Sequence, residues 1–534
     1  QVGKKYDGNY ENLRIYASGT GVFASAINKK IANDIKLSEA ISIPLTFILL
    51  VFVFGGLVAS GMPLLVGVSA ILGSFLVMYL LTLFTGVSIF ALNLITGLGL
   101  GLGIDYSLLI VNRFREELHA GKSVDEAIKR TVSTAGKTVF YSGLTIVITL
   151  ASLTLFPLMF LKSFGYAGVT VVIMAVLGSL VALPALLAIL GKNIDKAVIR
   201  KSAITPKEDG RWAQTARFVM RRPLAVVVLS LVILSILAAP IKNIVFSQVD
   251  SRVLPANNPA AFASKIISDR FPGQEGNPVE IVIPKGALVQ PEVTKYISEV
   301  AKVDGIVRVS QPQIFGDDLR ITAVHSMPPR TLKGESLIKD IREIKSPEGT
   351  LIGGIAADYA DTQIGIAKTM PWALTWIAIG VLILLFVFTG SIILPIKAVI
   401  LNILSLAATL GAITWIFVDG HLRWLVGDFT VTGAVDTGSI ILVAVVAFGL
   451  SMDYELFLLS RIKEEHDAGK SNIESVAIGL QRSARIITAA AGLLAIVFAS
   501  FIISGVTSIK MLGFGVAFAI LLDATLVRAL LVPA

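Results

Sequence analysis

Residues 100–123 read LGLGIDYSLLIVNRFREELHAGKS, and residues 448–471 read FGLSMDYELFLLSRIKEEHDAGKS. Aligning Asp105 with Asp453, an offset of 348 (453 − 105), also aligns Arg113 with Arg461 and Glu116-Glu117 with Glu464-Glu465. It further pairs Gly121-Lys122-Ser123 with Gly469-Lys470-Ser471. The chain is internally duplicated, and each copy carries an Asp-Tyr step inside a long apolar run. A carboxyl in a membrane helix costs about 2.5–3.5 kcal/mol on insertion scales, so such acids mark functional paths. Two in equivalent places point to a proton or ion relay.

Composition agrees. Of 534 residues, 54% are apolar and only 16% charged, the balance of a polytopic membrane protein. The chain has no cysteine, so disulfides and thiol chemistry are excluded. Four scattered histidines argue against a transition-metal site, and no cofactor is expected. The chain starts at Gln1 and stops inside an apolar run, which reads as a segment cut at both ends.

Apolar stretches of about 20 residues, enough to cross a bilayer, fall at 41–60, 62–84, 89–112, 138–158, 164–190 and 223–240. A second group falls at 370–390, 393–418, 435–460, 485–504 and 509–534. Lysine and arginine concentrate at 113–137, 191–222 and 461–485, while Lys162 and Arg423 stand almost alone in the alternate loops. The positive-inside rule places the three basic stretches in the cytoplasm and residues 241–369 outside. Six crossings separate the two relay segments, so they run in the same direction and the halves are parallel repeats. The expected organisation is 1–40, the tail of a first outer domain; 41–190, five spans of the first half; and 191–222, a cytoplasmic linker. It continues with 223–240, the opening span of the second half; 241–369, its outer domain; and 370–534, five more spans. By symmetry the first half lacks its opening span. Phe54-Gly55-Gly56 matches Phe388-Thr389-Gly390 at equivalent helix ends. The outer domain reads as strands and helices in β-α-β-β-α-β order, a ferredoxin-like pattern.

Asp105 lies eight residues before Arg113, about 12 Å along a helix, too deep for a short side chain to reach water. The plain alternative is a structural hydrogen-bond anchor. The functional reading is a carboxyl that loads and releases a proton. Neighbouring helix residues point about 100° apart. Across a pseudo-twofold axis, Asp105 then meets Tyr454 while Tyr106 meets Asp453. A phenol donates and accepts, which suits a carboxyl alternating between charged and neutral. A sodium site would gather more oxygens, so proton coupling is preferred. Glu455, Asp523 and Arg528 are candidate supports of the relay; Asp436, near the outer end of its helix, is expected to be solvated.

Gly97, Gly99, Gly101 and Gly103 alternate before Asp105 and suit close helix packing. The Ala-Gly-Lys-Ser stretches at 120–123 and 468–471, and Ala135-Gly136-Lys137-Thr138, resemble the end of a P-loop. Each lacks its first glycine, with Glu116, Glu464 and Thr131 in its place, so no ATP site is expected. Ser123 with Glu126 and Ser471 with Glu474 fit capping boxes, each opening a short helix at the cytoplasmic face. No Gly-x-Ser-x-Gly elbow exists in the outer domain, whose only histidine is His325. An enzyme is not expected.

The paired Gly-x-x-x-Asp-Tyr segments, Gly101 to Tyr106 and Gly449 to Tyr454, each followed by an arginine, resemble the MMPL family (mycobacterial membrane protein large). That family belongs to the resistance–nodulation–division (RND) transporter superfamily. The Asp523-Ala524-Thr525 step fits it too. The resemblance covers essentially the whole chain. Paired acids in one relay helix with a lysine in the other, the pattern of related multidrug pumps, are absent.

The resemblance implies a mostly α RND-type membrane protein with two parallel, pseudo-twofold-related halves and α/β, ferredoxin-like extracytoplasmic porter domains. It implies a multi-pass protein of the cytoplasmic membrane that exports lipids or other lipophilic molecules on the proton-motive force. Its relay would be Asp105, Tyr106, Asp453 and Tyr454. The expected partners are a lipophilic substrate, protons and the membrane, with homo-oligomers or envelope accessory proteins beside them and no nucleic acid. Alternatives on the same fold are a multidrug exporter, a lipid- or sterol-sensing protein without transport, and a SecDF-like protein-export motor.

Overall fold

The computed structural model describes residues 8–10, 13–197, 199, 210–271, 273 and 275–534. Parts of the expected first-domain tail (1–7, 11–12) and of the basic linker (198, 200–209) lie outside the described residues. At the N-terminal side, β1 (Gly8–Tyr10) and β2 (Leu13–Ile15) form a small hairpin.

Among the described residues, eleven helices are long and apolar enough to cross a membrane. The first half contributes α1 (Thr20–Phe54), α2 (Leu57–Thr82), α3 (Ala91–His119), α4 (Val124–Leu155) and α5 (Met159–Asp195). A linker helix, α6 (Arg211–Arg221), leads into α7 (Pro223–Asn243). After an inserted α/β domain come α11 (Ile355–Thr389), α12 (Ile393–Val418), α13 (Thr437–Asp467), α14 (Asn472–Ile503) and α15 (Thr507–Leu531).

The duplication is visible helix by helix. α1 and α11 each have 35 residues and end on a left-handed glycine, Gly55 (φ 75) and Gly390 (φ 73). Only glycine takes that conformation without a Cβ clash, which is why Phe54-Gly55 and Thr389-Gly390 occupy matching corners. α2 and α12 share a length of 26 residues, and α4 and α14 a length of 32. The helix that follows the Asp-Tyr helix in each half packs on the Asp-Tyr helix of the other: α4 on α13, and α14 on α3. Burial then singles out the centre. In their apolar windows α3 is 94% and α13 89% buried, against 11% for α7. Within the first half, α3 meets α2 at a glycine pair. A Cβ on Gly103 would lie 2.5 Å from Gly67 Cα, so this approach requires glycine.

The inserted domain builds on α8 (Pro259–Arg270), β4 (Val279–Ile283), α9 (Gln290–Val300), β5 (Ile306–Val309), β6 (Gln313–Phe315), β7 (Asp318–His325), α10 (Leu332–Glu343) and β8 (Leu351–Gly353). The sheet order is β5-β7-β4-β8 with antiparallel neighbours, the ferredoxin-like arrangement. Val279, Ile281 and Ile283 alternate into the core with Tyr296, Leu337 and Ile341 from the helices. β6 pairs β7 as a hairpin that the sequence pattern did not reveal, because its three residues are all exposed and carry no alternation.

Three expectations change. The helix that carries the first span, expected at 41–60, ends at Phe54 and begins at Thr20. Residues 20–40 belong to the same helix, because their polar groups have a partner surface. Asp34 pairs with Lys30 at 2.8 Å and accepts from Ser504 Oγ (2.7 Å) and Gly505 N (2.9 Å). The short helices expected after Ser123 and Ser471 are not separate elements but the opening turns of α4 and α14. In α4 a π-helical turn, Val132–Gly136, carries the backbone onward without a break. Ser123 and Glu126 do form the capping box; Ser471 caps its helix, but the Glu474 carboxylate pairs instead with Arg217 at 3.1 Å. Finally, Asp436 is half-buried rather than solvated. It caps α13 through Ser439 N (2.7 Å) and accepts from Val249 N (3.2 Å), beside the β3–β9 pairing of Phe246–Ser247 with Val435–Asp436.

Candidate functional site

Asp105 and Asp453 sit inside unbroken helices, so their backbone groups are paired and only the carboxyls carry the cost of burial. Asp105 is 1% exposed and Asp453 fully buried. Tyr454 donates its hydroxyl proton to Asp105 Oδ2. Tyr106 faces the other carboxyl, Asp453, and Ser142 of α4 bonds to both: Ser142 Oγ donates to Asp453 Oδ1 and lies 3.2 Å from the Tyr106 hydroxyl. Each Asp-Tyr step thus turns its acid and its phenol toward the opposite half. The remaining oxygens, Asp105 Oδ1 and Asp453 Oδ2, have no hydrogen-bond partner among the described residues. A carboxyl with one oxygen held and one free keeps a lone pair ready for a proton.

The supporting residues divide. Arg528 lies over the Tyr454 ring, 4.5 Å from its centroid, and pairs with Asp523. A cation on the ring face draws electron density from the phenol and strengthens its O–H as a donor toward Asp105. The Arg528 guanidinium also reaches Ser451 O at 3.4 Å. Tyr454, Asp523 and Arg528 line a cavity with Asn402, Ser405 and Ser451, offering about 10 Å³ to water, roughly what one molecule needs. Glu455 is also buried, but its electrostatic neighbours are Asp523, Arg528 and Lys397 rather than Asp105 or Asp453.

Sequence reasoning passed over Ser142, since one serine in an apolar helix is unremarkable. A signal existed in the repeat: the mirrored position, 142 + 348, is Ala490. A hydroxyl on one seam and a methyl on the other marks a place where the two copies have diverged.

Beyond the site, the two halves meet in a charge cluster at the basic ends of α3 and α13. Arg113 reaches Glu117 (2.9 Å), Glu116 (3.4 Å) and, across the interface, Glu464 (3.6 Å). Arg461 mirrors it, reaching Glu464 (2.9 Å) and, across the interface, Glu116 (3.6 Å).

The profile of the MMPL family matches residues 5–226 and 321–534. The stretch it skips, 227–320, includes β4, α9 and β5 of the inserted domain. A putative membrane protein of Streptomyces coelicolor is 38% identical over 524 residues, covering 97% of this chain and 72% of its own. The trehalose monomycolate exporter MmpL3 of Mycobacterium tuberculosis is 34% identical over 561 residues. That match covers 97% of this chain and 59% of the exporter, so the chain spans about three-fifths of that relative's length. Among solved structures, SecDF, a translocon-associated membrane protein from Thermus, superposes with a TM-score of 0.59 at 16% identity. It covers 95% of this chain and 63% of its own, a likeness of fold alone.

Proposed function

The chain belongs to the MMPL family, and on that premise we propose that it is the membrane part of a proton-motive-force-driven exporter of lipids or other lipophilic molecules. In this reading the basic loops lie in the cytoplasm and the inserted domain lies outside as part of the substrate path. One arrangement carries the reading: two buried carboxyls on symmetry-related helices, each bonded to groups of the other half.

Charge counting supports proton loading. Asp105, Asp453, Glu455 and Asp523 face one buried cation, Arg528, and one half-buried cation, Lys397, so full ionisation leaves an excess of two negative charges (4 − 2). An uncompensated charge in a low-dielectric interior is costly, and bound protons remove it. Protonation of a relay acid alters the hydrogen bonds that join the halves. It thereby biases one packing of the halves over another, as any ligand with unequal affinity for two states does.

Energetics constrain the cargo path. One proton crossing about 100 mV delivers about 2.3 kcal/mol, while each methylene moved into water costs about 0.8 kcal/mol. A proton therefore offsets only about three exposed methylenes, so a lipid must travel along continuous apolar surface. MmpL3, the relative named as a trehalose monomycolate exporter, supports a cargo with a sugar head and a long acyl tail. The test is reconstitution in vesicles with an imposed proton gradient. Asp105→Asn and Asp453→Asn should each abolish proton-driven lipid release from the membrane while the protein stays folded. Full transport by both variants would overturn the reading.

A further inference from the structure

We propose that the relay exchanges protons with the cytoplasm on one side only: from Asp453 through Ser142 and the Thr138–Ser460 hydroxyl pair into the cavity above the Arg113/Arg461 charge cluster. This rests on the relay reading and adds its exit route.

The route is a ladder of hydroxyls along one seam. Ser142 and Thr138 are four residues apart on α4, one turn, or about 6 Å of rise, which is the span of one bridging water. Thr138 Oγ1 lies 3.1 Å from Ser460 Oγ on α13, seven residues beyond Asp453. Both hydroxyls line an open cavity with about 440 Å³ of room for water. Its wall also carries Arg113, Lys137, Arg461 and Glu464, which fits a hydrated mouth at the basic end of the bundle.

The mirrored seam lacks these groups. With the offset of 348, Thr138 corresponds to Ile486, Ser142 to Ala490 and Ser460 to Asn112. Ile486 lines the same cavity, so it stands where a hydroxyl stands on the other side. Backbone winding differs as well. The π-helical turn Val132–Gly136 of α4 has no counterpart in α14, whose equivalent residues 480–484 are ordinary α-helix. π-turns inside α-helices recur at functional sites because the wide turn loosens the carbonyl ladder. Here Ser133 and Thr134 of that turn face the cavity, and Thr138 Oγ1 donates to Thr134 O at 3.4 Å.

Along this ladder each hydroxyl accepts one proton and passes on its own, so no group changes its net protonation. Asp453 is the acid emptied, and a cavity water receives the proton. At the mouth, the cross-half pairs Arg113–Glu464 and Arg461–Glu116 hold the two halves together, so movement of one half against the other alters access to the cavity.

The experiment uses the full chain in vesicles with a trapped pH-sensitive dye. Thr138→Val combined with Ser460→Ala should slow proton flux about tenfold, below the 10²–10⁴ span of a direct proton-transfer group. Thr138→Ser should recover most of it in the Ser460→Ala background, and Asn112→Leu on the mirrored seam should change nothing. Adding Ile486→Thr and Ala490→Ser to the slow variant should restore part of the flux. Wild-type flux in the Thr138→Val/Ser460→Ala variant, with Asp453→Asn still inactive, overturns the route and leaves the relay standing. Equal loss from Thr138→Ser and Thr138→Val makes the effect one of packing and also overturns it. If Asp105→Asn and Asp453→Asn both conduct normally, the relay itself falls.

Discussion

Asp105 and Asp453 occupy equivalent turns of equivalent helices, 348 residues apart, yet different groups surround them. Asp105 receives the Tyr454 hydroxyl, and behind that ring stand Arg528 and Asp523. Asp453 receives Ser142 and has the Tyr106 side beyond it. Moving back 348 positions, Asp523 becomes Ala175, Arg528 becomes Leu180 and Glu455 becomes Ser107. Moving forward, Ser142 becomes Ala490 and Thr138 becomes Ile486. Duplication supplied two matching frames, and substitution then gave each carboxyl its own setting. On the exporter reading proposed above, that difference allows the two carboxyls to fill and empty in order.

The comparison can be broken first at the acids. Asp105→Asn or Asp453→Asn should lower proton-driven transport by more than about a hundredfold, within the span of a positioned proton-transfer group. Loss from one substitution only, in the vesicle assay, would reduce the pair to a single working acid. Next in size is the charge pair found in the second half alone. Arg528→Leu leaves Asp523 buried without its cation and should destabilise the protein by about 3–5 kcal/mol. Combining it with Asp523→Ala copies Leu180 and Ala175 and should recover most of that loss in a thermal melt. If the double variant is as unstable as the single one, the two halves differ by more than this pair.

Ser142→Ala should slow proton flux about tenfold, while Ala490→Ser stays near wild type. Equal effects from both, measured with the same dye, would erase the distinction between the seams. The smallest effect separates the membrane seams from the inserted domain. His325 is fully buried, its Nε2 lies 3.0 Å from Asn277 O, and burial holds its imidazole below the ordinary 6.5. As pH falls through 6.5 the unfolded chain takes up this proton before the folded domain does. The stability tied to neutral His325 is therefore complete above 6.5 and declines below it. The opening equilibrium of β7, read as hydrogen exchange divided by the intrinsic base-catalysed rate at each pH, should rise modestly between about pH 6.5 and 5, and a corrected value that stays flat across this range would remove His325 as the cause.

Much of the architecture was legible in the sequence. Hydrophobic runs of membrane length located the helices, since nothing else in a chain demands about 20 apolar residues in succession. The β-α-β-β-α-β order was readable from alternation such as Val279 to Ile283, whereas the exposed β6 was not. Helix ends were read less well. At residues 20–40 the polar composition hid a helix whose Asp34 docks on Ser504 and Gly505, partners more than 400 residues away. The same limit hid Ser142. Its meaning depends on Asp453 lying across a seam, and sequence distance carries no trace of that contact.

By itself the sequence determined that this chain crosses a membrane many times, that it is duplicated, and that each copy places an acid and a phenol deep in an apolar helix. These follow from composition and periodicity, which the cost of putting charge and backbone into lipid makes strict. Only the tertiary structure decided which groups each acid meets: Tyr454 against Asp105, Ser142 against Asp453, and Arg528 on the Tyr454 ring. The reason is physical. The helical repeat sets the direction in which a side chain leaves its own helix, but the partner it meets depends on how separate helices pack, and packing is a property of the whole fold.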